Sequence, residues 1–140
     1  MKATMSILSR LLKALRPIPQ PDLPAALPHG QQRIHLFSGN FDDVDAAMAY
    51  CFHAPDDVPE QITLDQPGAF MNTDFVEVVF HNAANRLAEF LSVEETDRTL
   101  HKMRGANTLI IITEDAFGGF PYTLAHTPNL FYLGPYIVAV

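Results

Sequence analysis

The residues best suited to metal or nucleophilic chemistry are six histidines and one cysteine. The histidines are His29, His35, His53, His81, His101 and His126. No two have the spacing of a helical metal pair, and Cys51 has no second thiol to share a tetrahedral site. A hydrolase needs a nucleophile, a base and a group that orients the base. No Gly-x-Ser-x-Gly turn is present. Cys51 falls on an apolar helical spacing, which predicts a buried packing residue. Asp74 and Glu77 lie three apart in a strand-like segment, so alternation sends them to opposite faces. They are therefore poor partners for paired acid–base work. The enzyme reading that survives is a small hydrolase using Asp74 with His35 or His81. Ser38-Gly39-Asn40 leads from a strand into a helix, as in phosphate loops. Yet Asp42, Asp43 and Asp45 crowd the helix start and would repel a phosphate, and no Gly-Lys-Ser/Thr follows. These readings predict no cofactor and no metal.

The remaining chemistry is that of a surface. Asp42, Asp43, Asp45, Asp56, Asp57 and Glu60 form one acidic group. Glu114 and Asp115 form a second, which runs into Phe117, Phe120 and Tyr122. Carboxylates beside aromatics on a Gly-containing loop suit a protein interface, where aromatic anchors supply energy and charges steer.

Composition sets the frame for these groups. The 140 residues make one domain's worth of sequence, 48% apolar and 18% charged, which suffices for a core without disulfides. A single cysteine excludes an intrachain disulfide and is compatible with a reducing compartment. No apolar run approaches the length of a membrane span. The net charge of −7 argues against a nucleic-acid binder. That charge is uneven: residues 1–16 carry Lys2, Arg10, Lys13 and Arg16 and no acid, whereas from Arg33 onward five Lys or Arg face fifteen Asp or Glu. An acidic domain of this kind suits a basic partner.

Three segments follow. Residues 1–16 predict a basic amphipathic helix, with Met5, Leu8, Leu12 and Leu15 at helical spacing. It would dock on its own domain or on a second copy, giving a homodimer, or lie on a membrane surface. Residues 17–31, with five prolines from Pro17 to Pro28, predict a semi-rigid linker. Residues 32–140 predict a single acidic α+β (mixed α/β) domain. Its elements are a strand over 33–38, a helix over 42–52 burying Val44, Met48, Cys51 and Phe52, and a loop over 54–71. A strand over 74–80, a helical turn over 86–91 and a helix over 92–104 follow. The last helix is capped by Ser92 with Glu95 and ended by Gly105. A central strand over 108–113 and a last strand over 130–138, broken by Gly134 and Pro135, complete the domain. The result is a sheet of about four strands in β-α-β-α-β-β order with helices packed on it.

Four segments, in order, resemble the bacterial Imm22-type immunity proteins of polymorphic toxin systems. They are His35-Leu36-Phe37-Ser38-Gly39, Thr73-Asp74-Phe75-Val76-Glu77, Ala106-Asn107-Thr108-Leu109-Ile110-Ile111 and Phe131-Tyr132-Leu133-Gly134. The resemblance spans residues 33–138. Phe37 stands where the family pattern has tryptophan, and Met71-Asn72-Thr73 replaces a more acidic, aromatic lead-in. The resemblance implies a cytoplasmic, non-catalytic antidote that binds a cognate toxin domain and blocks it. The acidic balance suits a basic toxin such as a nuclease. The residues expected at that interface are Asp42, Asp43, Asp45, Asp74, Glu77, Glu114, Asp115 and Phe117, with Asp74 and Glu77 entering through the family pattern. An interaction protein tethered at a membrane by its N-terminal helix is a third reading.

Overall fold

The computed structural model describes residues 24–55 and 58–140. The predicted N-terminal helix, with any dimerisation or membrane contact it would make, and Asp56 and Asp57 lie outside the described residues.

Four antiparallel strands form one sheet: β1 (Gln31–Gly39), β2 (Val76–Phe80), β3 (Thr108–Thr113) and β4 (Phe131–Ala139), in the order β2-β3-β1-β4. The central pair is the most apolar. Ile34 to Gly39 of β1 and Thr108 to Ile112 of β3 are all buried, as expected for strands covered on both faces. Cross-strand pairs such as Phe37–Ile110 and Leu36–Ile111 set the register. Alternation then divides the core in two. Phe37, Val76, Ile110 and Ile112 pack beneath helices α1 (Val44–Phe52) and α2 (Gln61–Asp65). Ile34, Leu36, Leu109 and Ile111 pack beneath α3 (Ala83–Ala88) and α4 (Val93–Met103).

The α+β class and the four strands agree with expectation. The helical stretches expected over 42–52, 86–91 and 92–104 are the single helices α1, α3 and α4, a further helix, α2, lies within the expected loop over 54–71, and β1 begins at Gln31. Strand β2 starts at Val76 and not at 74 as expected, because Thr73–Phe75 forms a 3₁₀ turn. The last strand is not broken at Gly134 and Pro135. It continues through them, with a bulge at Leu133 between the pairs Leu36–Gly134 and Phe37–Tyr132. Gly134 takes φ +116° there, and Pro135 is tolerated because β4 is an edge strand.

The Ser92 cap matches its sequence signal, and Asp43, expected inside the first turn, is instead the cap of α1. The Asp43 carboxylate accepts from the Ala46 N–H at 2.8 Å, and Ser92 Oγ accepts from the Glu95 N–H at 3.1 Å. Helix α4 ends with Arg104, one residue before the expected glycine, already in the left-handed region. The long irregular segment 118–130 is stitched to the α2 region. The buried Gln66 amide donates to the Ala125 carbonyl at 2.8 Å and accepts from the Ala125 N–H at 2.9 Å. Thr123 N–H donates to the Gly68 carbonyl, and a Cβ at Gly68 would sit 2.8 Å from the Thr123 oxygen.

Candidate protein-binding surfaces

The first polar cluster is internal. His35 projects from β1 into the α1 side of the sheet and is 2% exposed. Its Nδ1 lies 2.8 Å from the Tyr132 hydroxyl and its Nε2 3.1 Å from Glu114 Oε1. Tyr122 donates to the same Glu114 oxygen at 2.8 Å. The neutral ring protonated on Nε2 satisfies every group: Tyr132 donates to Nδ1, and Nε2–H donates to Glu114. Burial lowers the His35 pKa, and the bond to Glu114 offsets this only in part. Burial likewise pushes the Tyr132 hydroxyl up to about 12 and Tyr122 upward, with the nearby Glu114 adding to both. Both phenols stay protonated at neutral pH, so neither is a phenolate nucleophile.

The expected interface residues separate into outer and inner groups. Asp42, Asp43, Asp45, Asp74 and Asp115 are exposed. Glu114 is instead held by His35 and Tyr122. Phe117 is 1% exposed and stacks on Tyr122 with centroids 4.0 Å apart, so it belongs to the core and not to a contact surface. The exposed aromatic of that loop is Phe120, edge-on to Phe70 at 5.7 Å. Glu77 forms a two-pronged ion pair with Arg86 at 2.6 and 2.9 Å.

Asp74 departs from the expected alternation, because it sits in the 3₁₀ turn and not in β2. It therefore borders the same surface depression as Glu77, with Ile34 and Ile111 in its wall. Those two belong to the α3–α4 side of the sheet, away from His35. His81 lies beyond the far end of β2, in a left-handed turn. The hydrolase constellation of Asp74 with His35 or His81 is thus not assembled.

Helix α1 presents the largest departure. The expected inward stripe is mostly outward: Val44, Met48 and Phe52 are 46%, 43% and 39% exposed. The helix buries Ala47, Tyr50 and Cys51 instead. Tyr50 drives this choice, since its hydroxyl reaches Asp65 of α2 at 2.6 Å while its ring packs on Phe41. The outward residues recur every four positions and so share one helix face. Asp45 lies within the same turns, and Asp42 and Asp43 precede them. The result is an apolar ridge edged by carboxylates.

Among the described residues no group of three or more His, Cys, Asp and Glu is placed to hold a metal ion, and no helix is long and apolar enough to cross a membrane. No family model matches the chain, and no curated protein or solved structure matches it either.

Proposed function

We propose that this protein is a non-catalytic immunity protein that neutralises a cognate, basic toxin domain by direct contact in the cytoplasm. The observation that carries the reading is the α1 ridge. Three large apolar side chains stand in solvent on one helix face, beside Asp42, Asp43 and Asp45. A solvated helix normally turns its apolar face inward, so a contiguous outward face marks an interaction surface. Apolar anchors supply binding energy, and the surrounding carboxylates steer a basic partner and reject acidic ones. The resemblance of four segments to Imm22-type immunity proteins supports the same reading.

The test is a survival assay. The open reading frame immediately upstream is expressed with and without this protein, and viable cells are counted. Rescue of a toxic neighbour is the expected result; a harmless neighbour, or toxicity without rescue, overturns the proposal. With the toxin in hand, Met48→Ala with Phe52→Ala should weaken binding by about thirtyfold or more, the range of interface anchors. Asp42→Lys with Asp45→Lys should slow association at low salt and flatten its salt dependence.

A further inference from the structure

The acidic ridge leaves the basic residues of the domain unexplained. Five Lys or Arg follow Arg33 inclusive. Arg86 is taken by Glu77, and Arg33 donates to the Ala25 carbonyl at 3.4 Å. The other three are Arg98 at the middle of α4, Lys102 in its last turn and Arg104 at its C-cap. They line a valley between that helix and the edge strand β4. Lys102 borders it from Ser38 and Phe131 at one end to Ile137 at the other. The place of Lys102 and Arg104 near the helix C-terminus suits the helix dipole, but the dipole does not explain what meets the three from the opposite wall. There His126 stacks on Phe131 at 4.4 Å. Its Nδ1 accepts from the Tyr132 N–H at 2.9 Å, which leaves Nε2–H as a donor. One carboxylate, Glu95, also lines the valley, and it is engaged with Ser92.

The strand beside the valley is open. Among the described residues β4 pairs only with β1, so its other edge has no partner strand, although there the Tyr132 N–H is taken by His126 and Pro135 offers no N–H. Its nine residues carry no charge; of the devices that guard edge strands it has Pro135 and the bulge at Leu133, which leave Tyr136–Ala139 as the stretch for pairing. We infer that β4 and its valley form a second binding site, which takes an extended acidic peptide segment by strand addition. The spacing agrees. Arg98 and Lys102 are one helical turn apart, about 6 Å, and same-face residues of a strand are about 7 Å apart. Carboxylates at alternate positions of an added strand would meet successive cations.

Charge selects this occupant over the others. A second copy joined through β4 about a two-fold axis would bring the same cations face to face. Residues 1–16 of this chain carry only cations. A nucleic acid or anionic membrane would meet a domain whose remaining surface is strongly acidic, whereas a short peptide feels only the local valley.

The experiment titrates the ¹⁵N-labelled full chain with the peptide Thr-Glu-Val-Glu-Val-Glu-Thr and with its Lys-for-Glu counterpart. Saturable shifts of the β4 amides, caused by the acidic peptide alone and weakened by salt, are expected. Arg98→Gln with Lys102→Gln, checked for folding by circular dichroism, should weaken that binding by about tenfold or more. Absence of β4 shifts at millimolar acidic peptide overturns the inference. So do equal binding of the Lys peptide, binding unaltered by the double substitution, concentration-dependent dimerisation through β4, and binding of duplex DNA or phosphatidylglycerol vesicles in place of the peptide.

Discussion

Tyr132→Phe isolates the cost of one buried hydrogen bond. The substitution removes the donor to His35 Nδ1 and leaves the ring in place. His35 is 2% exposed, so water does not replace the lost hydroxyl. Moving the ring proton to Nδ1 gives no relief, because that N–H would lack an acceptor, even with the Tyr122 hydroxyl, 2.9 Å from Nε2, turned to donate there. Either tautomer strands one buried group, which costs about 1–3 kcal/mol. Tyr122→Phe should cost less, about 0.5–1.5 kcal/mol, because Glu114 keeps the His35 bond and is partly open to water. His35→Leu combined with Tyr132→Phe removes both partners of the bond, so the double variant should recover about 1 kcal/mol relative to additivity. The chain has no tryptophan, so urea and thermal unfolding are followed by far-ultraviolet circular dichroism. A shift of roughly 4 °C per kcal/mol makes these differences measurable. Tyr132→Phe within about 0.5 kcal/mol of the unsubstituted protein, or Tyr122→Phe costing more, would refute the bonding scheme.

The same histidine makes stability depend on pH. Its folded-state pKa lies below the ordinary 6.5, so the unfolded chain binds the proton more readily. Its contribution is complete above that value and declines as pH falls from 6.5 towards the folded-state pKa; comparing His35→Gln with the unsubstituted protein between pH 8 and 5 should show that slope reduced. Cys51 is buried, and desolvation, with the Glu60 charge adding to it, pushes its thiol up to about 12. Ellman's reagent should therefore titrate one thiol in urea and react slowly with the native protein; prompt native labelling would contradict the burial. Ser92→Ala and Asp43→Ala should each cost about 1 kcal/mol through a lost N-cap, whereas Asp42→Lys should stay within about 0.5 kcal/mol, all read from urea midpoints.

Legibility followed the range of the physics. Thr108–Thr113 was readable because an unbroken apolar run has few other fates, and the Ser92–Glu95 cap because its signal spans four residues. Helix α1 was located correctly but turned the wrong way. Val44, Ala46, Ala47, Met48, Ala49, Tyr50, Cys51 and Phe52 surround a single acid, Asp45, so hydrophobic spacing alone cannot orient it. The bond from Tyr50 to Asp65, fifteen residues on, helps decide the matter. Helix α2 has five residues, too few for a periodic signal. Asp74 and Glu77 were set on opposite faces by an alternation that the 3₁₀ turn suspends. Choosing between Phe117 and Phe120 as the buried ring required the positions of His35 and Tyr122. The His35 cluster joins residues 79 and 97 positions apart, beyond any local pattern. The basic valley had a visible trace, since Arg98, His101, Lys102 and Arg104 crowd seven positions. Totals over the whole chain concealed it.

The Gln66 amide has a consequence for how the molecule breathes. Its two bonds to Ala125 imitate a step of β-ladder, made by a side chain between two stretches that have no strand. An irregular segment such as 118–130 would ordinarily open by itself, well before the sheet melts. Here, opening it exposes an amide buried beside α2 and breaks the bond between Thr123 and Gly68 as well. The segment and the α2 region should then open as one cooperative unit. The Ala125 and Thr123 amides should exchange their hydrogens with deuterium together, at a rate set by that shared opening and not by the freedom of a loop.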